Sequence, residues 1–481
     1  MPIRNHYPLW LAGTPHEGDA TLEVRDKYRG SPLCTVARAQ KPTVLRAIER
    51  AHASFPEVSR RAAYKRRADL EHIMRGLESR SDEFAEAICR ESGKPITSAV
   101  AEVVRAQLTL RIAMEESTRI GGELIPLDIA DFANAKMGVI RRFSLGVCGF
   151  ITPFNFPLNL VVHKIAPAIA AGCPFVLKPA STTPVTALLL GELLKDSDLP
   201  ADSWSILPCS SGDAEPIVTD DRIAKLSFTG SMSVGWDLKS KAGRKRVTLE
   251  LGGNAACIVD ADADLDRAAE RIVYGAYAQS GQSCISVQRI LAHREVLDDL
   301  RERLRARIAE LVMGDPMEKT TNIGPLISEE DGERIAAWVG EAVDAGAKVV
   351  ARSPGEQGGA MHPAVLLEGV AHDAKVSCDE VFGPVATLEG FDDFYGALRI
   401  ANDSRYGLQA GVFTNTLDHA WRAFEALEVG GVIVNDVPTF RVDAMPYGGV
   451  KDSGVGREGV PAAIEHLTEP RLLVVRTPPQ R

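Results

Sequence analysis

The chain has 481 residues, of which 45% are hydrophobic and 25% are charged, and its formal net charge is -10 at pH 7. The apolar fraction excludes a wholly disordered chain, because it is large enough to build a substantial core. The acidic balance, without a basic block, excludes a protein that binds nucleic acid mainly through its phosphates.

No segment has the features of a membrane span, a secretory signal or a disulfide framework. The most apolar long stretch, residues 158–177, is interrupted by His163, Lys164 and two prolines, whereas a spanning helix needs about 20 predominantly apolar residues. The eight cysteines are scattered singly, with no C-x-x-C pair. We therefore expect a cytoplasmic protein with free thiols and no bound metal.

The first 120 residues are predicted to be mostly helical. Apolar residues recur there at three- and four-residue intervals, which is the spacing of one helix face. The arginines between them are expected to lie on solvated faces. The predicted helices cover residues 43–55, 64–79, 82–90 and 96–119.

From residue 139 onward, short apolar strand-like runs alternate with helical ones. This alternation predicts parallel sheets covered by helices on both faces, arranged as two α/β units. Residues 121–144 and 471–476 do not fit the alternation, and we expect them to form arms between subunits. The predicted strands of the first unit cover residues 146–151, 174–177, 205–207, 225–228 and 246–249, and a further strand covers 255–259.

Two turns between a strand and a helix are candidate ligand sites. Residues 226–235 contain Gly230 and Ser231 at a predicted helix start, whose free N–H groups suit a pyrophosphate, although an ordinary turn explains them equally well. Residues 151–157 carry Asn155 between two prolines. Its amide could donate to a developing oxyanion or simply cap the helix. Lys178 ends the next strand, where ligands bind on open α/β sheets, but it could also be a surface charge.

Three further motifs contain reactive side chains. Glu250 lies at the end of an apolar strand, where desolvation would raise its pKa and make it a usable general base. Cys284 lies in a Gly/Ser/Gln turn that could expose its sulfur. The other cysteines lie mostly in apolar surroundings. Residues 378–384 place an acid and an aromatic side chain beside a turn.

Seven motifs follow one another along the chain, namely P-F-N-F-P, K-P-A-S, F-T-G-S, L-E-L-G-G, G-Q-S-C, E-V-F-G-P and M-P-Y-G-G-V-K. In this order they resemble the motifs of the aldehyde dehydrogenase superfamily. The resemblance covers residue 146 to the C-terminus. Within the superfamily, the chain most resembles the branches that contain succinate-semialdehyde and lactaldehyde dehydrogenases. The resemblance implies that Cys284 attacks the aldehyde and forms a thiohemiacetal and then a thioester. Asn155 would hold the oxyanion and Glu250 would activate the hydrolytic water.

The resemblance also implies a nicotinamide dinucleotide as cofactor and assigns residues to it. Ser231 and Gly230 would meet the pyrophosphate and Lys178 the adenosine ribose. The remaining expected contacts are Thr152, Pro153, Thr229, Glu380 and Phe382. Many NAD-preferring relatives have Glu where this chain has Ser181, and a carboxylate there repels a 2′-phosphate. We therefore expect NADP to be accepted as well as, or in preference to, NAD.

The substrate is expected to be a small anionic or hydroxylated aldehyde. Arg441, beside Phe440, suits a carboxylate or phosphate because a guanidinium donates two parallel hydrogen bonds. Arg105 and Arg111 lie on a predicted helix that borders the entrance in relatives, and Phe156 is a further candidate. The alternative is that Arg441 pairs with Asp443 or bridges subunits.

Three other functions remain possible at this stage. An acylating enzyme would pass the thioester to coenzyme A, but relatives of that kind usually lack the glutamate at Glu250. A non-catalytic binding or structural protein would not need Cys284, Glu250 and Asn155 together. A thiol hydrolase would leave the nucleotide motifs without a purpose.

The resemblance implies an α/β aldehyde dehydrogenase-like fold with two parallel-sheet domains and a β oligomerisation arm. We expect residues 1–120 and 145–250 to form the cofactor-binding domain and residues 251–455 the catalytic domain. Residues 121–144 and 456–481 would form the oligomerisation element. Exchange of these arms predicts a homodimer or homotetramer.

Overall fold

The computed structural model describes residues 3–476. Its strands are β1 (His6–Tyr7), β2 (Leu9–Leu11), β3 (Thr14–His16), β4 (Ala20–Arg25), β5 (Pro32–Arg38), β6 (Gly122–Pro126), β7 (Lys136–Ser144), β8 (Val147–Ile151), β9 (Phe175–Lys178), β10 (Trp204–Ile206), β11 (Ile223–Thr229), β12 (Arg246–Glu250), β13 (Ala256–Val259), β14 (Arg289–His293), β15 (Lys348–Arg352), β16 (Val365–Glu368), β17 (Val385–Phe391), β18 (Tyr406–Gly407), β19 (Gln409–Phe413), β20 (Gly431–Val434), β21 (Val450–Lys451), β22 (Gly454–Val455) and β23 (Thr468–Arg476).

The helices are α1 (Lys41–Val58), α2 (Ala63–Ser79), α3 (Ser81–Ser92), α4 (Ile96–Glu116), α5 (Asn159–Ala171), α6 (Val185–Lys195), α7 (Glu215–Thr219), α8 (Met232–Lys241), α9 (Leu265–Tyr277), α10 (Leu297–Ala309), α11 (Glu329–Asp344), α12 (Lys375–Cys378), α13 (Phe394–Asn402), α14 (Leu417–Ala426) and α15 (Val460–His466). Short 3₁₀ turns cover Asp131–Ala133, Ala201–Ser203 and Ala278–Gly281.

Two large mixed sheets confirm the predicted α/β class. The first has eight strands in the order β22-β12-β11-β8-β9-β10-β2-β3, and its strands from β12 to β10 are parallel. The second has seven strands in the order β15-β16-β17-β14-β13-β19-β20 and is parallel except for β15. Smaller sheets are formed by β1-β5-β4, by β18-β21 and by β23-β7-β6.

The register of the first sheet brings the predicted site motifs to one edge. Ile151 pairs with Lys178, Phe228 pairs with Ile151, and Thr229 pairs with Glu250. The carboxyl ends of β8, β9, β11 and β12 are therefore level with one another. This is the edge at which ligands bind on open α/β sheets.

The N-terminal segment differs from the prediction of a mostly helical first 120 residues. The four predicted helices are present as α1 to α4, but β1 to β5 precede them. A signal was available in β4, whose burial alternates along Ala20–Arg25 as expected for a strand with one covered face. Strand β4 has only six residues, so its period-2 pattern is too short to be distinguished from sequence alone beside the long helices.

Two buried acids join the N-terminal helices to the starts of helices α5 and α6. Glu102 on α4 accepts hydrogen bonds from the backbone N–H groups of Leu158 and Asn159, at the start of α5, at 2.9 and 3.1 Å. Glu91 on α3 does the same for Val185 and Thr186, at the start of α6. A carboxylate at a helix N-terminus satisfies free N–H groups and interacts favourably with the helix dipole. Within residues 3–476, no helix is both long and apolar enough to cross a membrane.

Candidate active site

A cavity of about 650 Å³ is lined by loops from both large sheets and by helix α4. It brings together twelve of the sixteen site residues predicted from sequence. Thr152, Lys178, Ser181 and Phe440 are not part of its lining. The twelve are Arg105, Pro153, Asn155, Phe156, Thr229, Gly230, Ser231, Glu250, Cys284, Glu380, Phe382 and Arg441.

Cys284 lies in a turn that interlocks with the loop carrying Asn155. The turn contains Gln279 and Ser280 at positive φ angles of 55° and 56°, a conformation that non-glycine residues adopt only when their surroundings enforce it. The Gln279 side chain donates to the Asn155 carbonyl, and the Asn155 amide donates to the Gln282 carbonyl at 3.1 Å. The sulfur and the Asn155 amide are therefore held on two loops that brace each other.

Cys284 is half-buried in the cavity lining, and desolvation raises the pKa of its thiol to about 12. The Tyr447 hydroxyl lies 3.1 Å from its sulfur. A thiol with such a pKa is protonated near neutral pH, so a nucleophilic role requires a base. Of the other cysteines, Cys378 is half-buried and six are buried.

Glu250 has the environment of a general base. Both of its carboxylate oxygens are buried without a hydrogen-bond partner. Burial, and next the negative charge of Glu458, raise the pKa of Glu250. Glu458 accepts from Lys164 at 2.7 Å, and attraction by Lys164 and Arg441 holds the pKa of Glu458 below its usual value. Of the two acids, Glu250 therefore holds the proton, in the direction that its apolar strand predicted.

Arg105 and Arg441 approach the cavity on either side of Asp443. Arg105 donates to Asp443 at 2.8 Å. Arg441 lies 3.9 Å from Asp443 and 3.7 Å from Glu458 without a hydrogen bond to either, and its buried Nε has no partner. His163 contacts Asp443 at 2.7 Å. Arg441 therefore keeps donor capacity that its neighbours do not use.

The predicted cofactor residues provide unpartnered polar groups. The side-chain hydroxyls of Thr152 and Thr229 are buried without a hydrogen-bond partner, and Ser231 begins α8 without capping it through its side chain. A Cβ on Gly230 would lie 2.6 Å from the Phe228 ring. These features fit a dinucleotide whose phosphates approach a helix N-terminus.

Glu380 and Phe382 lie at the other wall of the cavity. Glu380 accepts from the Gly253 N–H at 3.0 Å, and burial raises its pKa to about 7. Phe382 has a positive φ of 50° and packs edge-on against Phe154 with ring centroids 5.8 Å apart. Their position suits hydroxyl and ring contacts to a bound nucleotide.

Lys178 and Ser181 lie at the end of β9 and just beyond it. The Lys178 ammonium donates to the Pro179 carbonyl at 3.3 Å, and burial lowers its pKa. Ser181 donates to the Cys209 carbonyl at 3.4 Å. Phe440 is 41% exposed, and Arg111 is exposed on α4 and not part of the cavity lining.

The sequence analysis did not single out several groups that surround the reactive side chains. Tyr447 lies within the M-P-Y-G-G-V-K motif, but nothing in the motif indicated that its hydroxyl meets Cys284. Lys164 was available as a signal, because a lysine inside an otherwise apolar helix needs a partner. That partner, Glu458, is separated from it by 294 residues.

The model of the family described as "Aldehyde dehydrogenase family" matches residues 14–473. The chain belongs to the aldehyde dehydrogenase family. It is 41% identical over 474 residues to a 3-sulfolactaldehyde dehydrogenase of Priestia aryabhattai, covering 98% of both chains. Accordingly, this aldehyde dehydrogenase has the family's α/β fold and oxidises an aldehyde to an acid with NAD(P)+.

Solved structures of similar proteins agree with this assignment. Aldehyde dehydrogenase 21 from Physcomitrella patens, in complex with the reaction product succinate, shares 45% identity with a TM-score of 0.96, and 98% of each chain is covered. Glyceraldehyde-3-phosphate dehydrogenase GapN from Methanocaldococcus jannaschii, complexed with NADP, shares 33% identity with a TM-score of 0.90, covering 95% of this chain and 99% of that one.

Proposed function

We propose that this aldehyde dehydrogenase oxidises a small aldehyde that carries an anionic group. The observation that carries the proposal is that Arg105 and Arg441 line the same cavity as Cys284. A guanidinium binds carboxylate, sulfonate or phosphate oxygens through paired N–H donors. An anionic group bound by these arginines would place the aldehyde carbon of the same molecule at a defined distance from them.

The charges around the cavity favour an anion. In the side-chain cluster at the Arg441 side of the cavity, three cations, Arg105, Lys164 and Arg441, face two ionised carboxylates, those of Asp443 and Glu458. Of the other charged lining residues, Glu102 pairs with Lys94 and Asp331 with Arg334, and Glu380 lies at the other wall. Contact with His163 lowers the pKa of Asp443, and attraction to Lys164 lowers the pKa of Glu458. While Glu250 holds its proton, one positive charge has no ionised partner, and an anionic substrate would supply it.

Two relatives support the same class of substrate. The name of the Priestia enzyme specifies a sulfonated aldehyde, and the Physcomitrella enzyme was solved with succinate. Both molecules carry an anionic group beyond the reacting carbon. The hydroxylated aldehydes of the lactaldehyde dehydrogenase relatives remain substrates to compare.

In the proposed reaction, Glu250 acts in its ionised form, which its raised pKa makes the minor form at lower pH. The carboxylate removes the proton from Cys284, and the thiolate attacks the aldehyde carbon to form a thiohemiacetal. The Asn155 amide and the Cys284 N–H stabilise the oxyanion. When bound, the nicotinamide supplies the hydride acceptor that converts the thiohemiacetal into a thioester. After releasing the Cys284 proton to solvent, Glu250 takes a proton from the water that attacks the thioester, and the acid leaves as the C–S bond breaks and sulfur becomes a thiolate again.

We propose that NADP is accepted as the cofactor. Ser181 places a hydroxyl where a carboxylate would repel a 2′-phosphate, and Lys178 lies on the adjoining strand end. Helix α8 with Ser231 would hold the pyrophosphate. The unpartnered Thr152 and Thr229 hydroxyls are further donors for the dinucleotide.

Self-association through the sheet β23-β7-β6 forms part of the proposal. The side chains of Leu472, Leu473 and Val474 on β23 are 50–60% exposed, and the outer edge of β23 has no strand partner within the described residues. Exposed apolar strands at an open edge are typical of an interface. Residues 121–144 and 456–481, of which 477–481 lie outside the described residues, would form the oligomerisation element. The two large sheets would belong to the cofactor-binding and catalytic domains.

The substrate proposal is tested with succinate semialdehyde and butyraldehyde, which have the same chain length but differ in charge. In Arg441→Met, both aldehydes lose the attraction of Arg441 for the Cys284 thiolate. We expect kcat/KM for the semialdehyde to fall roughly 10- to 100-fold further than that for butyraldehyde, the size of a charged hydrogen bond. Equal losses for both aldehydes, or none, would refute anion recognition. If Cys284 is the nucleophile, Cys284→Ala is expected to lose all aldehyde oxidation. If water hydrolyses the thioester, the enzyme is expected to turn over without added coenzyme A.

A further inference from the structure

The Tyr447 hydroxyl forms its hydrogen bond with the reactive sulfur. It lies 3.1 Å from Cys284 Sγ, and the tyrosine is 3% exposed. An O–H group left without a partner in such a position would carry a desolvation cost, so the contact with sulfur is the one that satisfies it.

We propose that Tyr447 is a further catalytic residue, whose hydroxyl donates a hydrogen bond to the Cys284 thiolate. This inference rests on the proposed role of Cys284 as the nucleophile. In the neutral thiol either atom can be the donor, but a thiolate has no proton, so only the phenol can donate to it. The contact is therefore stronger in the reactive state than in the resting state, which is the condition for accelerating a step.

The surroundings of Tyr447 keep its hydroxyl protonated. The Arg441 guanidinium lies over the phenol ring, 3.7 Å from its centroid. Burial raises the pKa of Tyr447 well above its usual value, more than Arg441 lowers it. The phenol thus remains a donor across the neutral range, while the cation on its face draws electron density from the ring.

The same hydrogen bond acts when the thioester is hydrolysed. Water forms the new C–O bond and gives its proton to Glu250, and the C–S bond breaks with its electron pair passing to sulfur. The sulfur becomes a thiolate again and accepts from Tyr447, which keeps its proton. Tyr447 therefore stabilises the nucleophile in the first step and the leaving group in the last.

The charged and titratable groups that face Cys284 are Glu250, Glu380, Arg441 and Tyr447. Glu250 and Glu380 oppose the thiolate, whereas Arg441 and the Tyr447 hydrogen bond favour it. Removing the hydroxyl alone, in Tyr447→Phe, keeps the ring under Arg441. This change therefore isolates the hydrogen bond from the packing.

The test is the pH dependence of Cys284 alkylation by iodoacetamide in the intact, substrate-free enzyme, followed by mass spectrometry because Cys378 is also half-buried. In Tyr447→Phe, we expect the rate below the alkylation midpoint to fall roughly tenfold or more and the midpoint to move to higher pH. Single-turnover thioester hydrolysis is expected to slow as well. Tyr7→Phe is the matched control, since the Tyr7 hydroxyl is an acceptor for the Arg4 N–H.

A second variant moves the effect in the opposite direction. Replacing Tyr447 by 3,5-difluorotyrosine makes the phenol a stronger donor while it is protonated, so Cys284 alkylation near neutral pH is expected to become faster. An unchanged midpoint in Tyr447→Phe, or slower alkylation near neutral pH with the fluorinated residue, overturns the inference. If Cys284→Ala still oxidised aldehydes, the proposed function would fail instead, and the alkylation profile would still measure the contact.

Discussion

Gly448 borders the Glu250 carboxylate so closely that a Cβ atom on it would lie 2.8 Å from Glu250 Oε1 and 2.7 Å from the Gly456 carbonyl oxygen. In Gly448→Ala, we expect the rate of thioester hydrolysis to fall about 100-fold, because displacing a catalytic group by about 1 Å has that effect. Acylation, measured as the first turnover of reduced cofactor, is expected to change less.

Gly340→Ala on α11 is the matched control for Gly448→Ala. A Cβ on Gly340 would meet nothing within 4 Å. The alanine is expected to raise the stability of the helix by about 0.5–1 kcal/mol without changing hydrolysis. Normal hydrolysis in Gly448→Ala would contradict the proposed link between this glycine and Glu250.

The buried ion pair of Lys94 and Glu102 supports the loop that carries Asn155. Both side chains are 1% exposed, and the Lys94 ammonium lies 3.9 Å from the centroid of the Phe156 ring. Lys94→Met leaves the Glu102 carboxylate without its cation, and we expect it to destabilise the protein by about 3–5 kcal/mol. The measurement is thermal or denaturant unfolding, together with kcat.

Arg294→Gln provides the comparison for this pair. The side chains of Arg294 and of its partner Asp392 are 61% and 74% exposed. Solvent screens such a pair, so its loss is expected to leave unfolding and kcat almost unchanged. Similar effects of Lys94→Met and Arg294→Gln would argue against a supporting role for the buried pair.

Thioester hydrolysis is expected to depend on pH through Glu250. Burial and the charge of Glu458 raise the pKa of Glu250, and the protonated acid cannot accept a proton from water. The hydrolysis rate therefore increases as pH rises through that pKa and levels off above it. Glu458→Gln removes the repelling charge, so the rising limb is expected to move to lower pH.

The pH prediction is checked by single-turnover hydrolysis of a preformed acyl-enzyme. A rate that is flat between about pH 5 and pH 9 would contradict it, since an unperturbed carboxyl titrates below that range. In Glu250→Gln, the first turnover is expected to slow, because Cys284 loses its base, but to remain visible as a burst, because steady-state turnover is lost with hydrolysis. This burst separates the role in hydrolysis from the role in acylation.

The choice of cofactor is expected to depend on Ser181. Ser181→Glu introduces a carboxylate that repels the 2′-phosphate of NADP and can bind ribose hydroxyls, so the ratio of kcat/KM for NADP to that for NAD should fall at least about tenfold. Ser79→Glu, at an exposed position of α2, is the control that adds the same charge elsewhere on the surface. An unchanged ratio in Ser181→Glu would exclude this residue as a determinant.

The sequence predicted those site residues that lie in short, recognisable motifs. Asn155, Glu250 and Cys284 lie in short motifs at strand ends and turns, and parallel pairing brings such ends together without knowledge of side-chain contacts. The contacts of Arg105 could not be predicted in this way, because its partner Asp443 is 338 residues away. The same applies to the meeting of Tyr447 and Cys284, which depends on how two loops pack.

The two helix-capping acids of the N-terminal layer also impose an order on synthesis. Glu91 and Glu102 are translated before the N–H groups of residues 158–159 and 185–186 that satisfy them. Until the ribosome has passed residue 186, burying both carboxylates would leave at least one without the N–H groups that donate to it, at a high desolvation cost. The nascent helices therefore complete their native packing only after this part of the sheet has emerged, and remain accessible to chaperones until then.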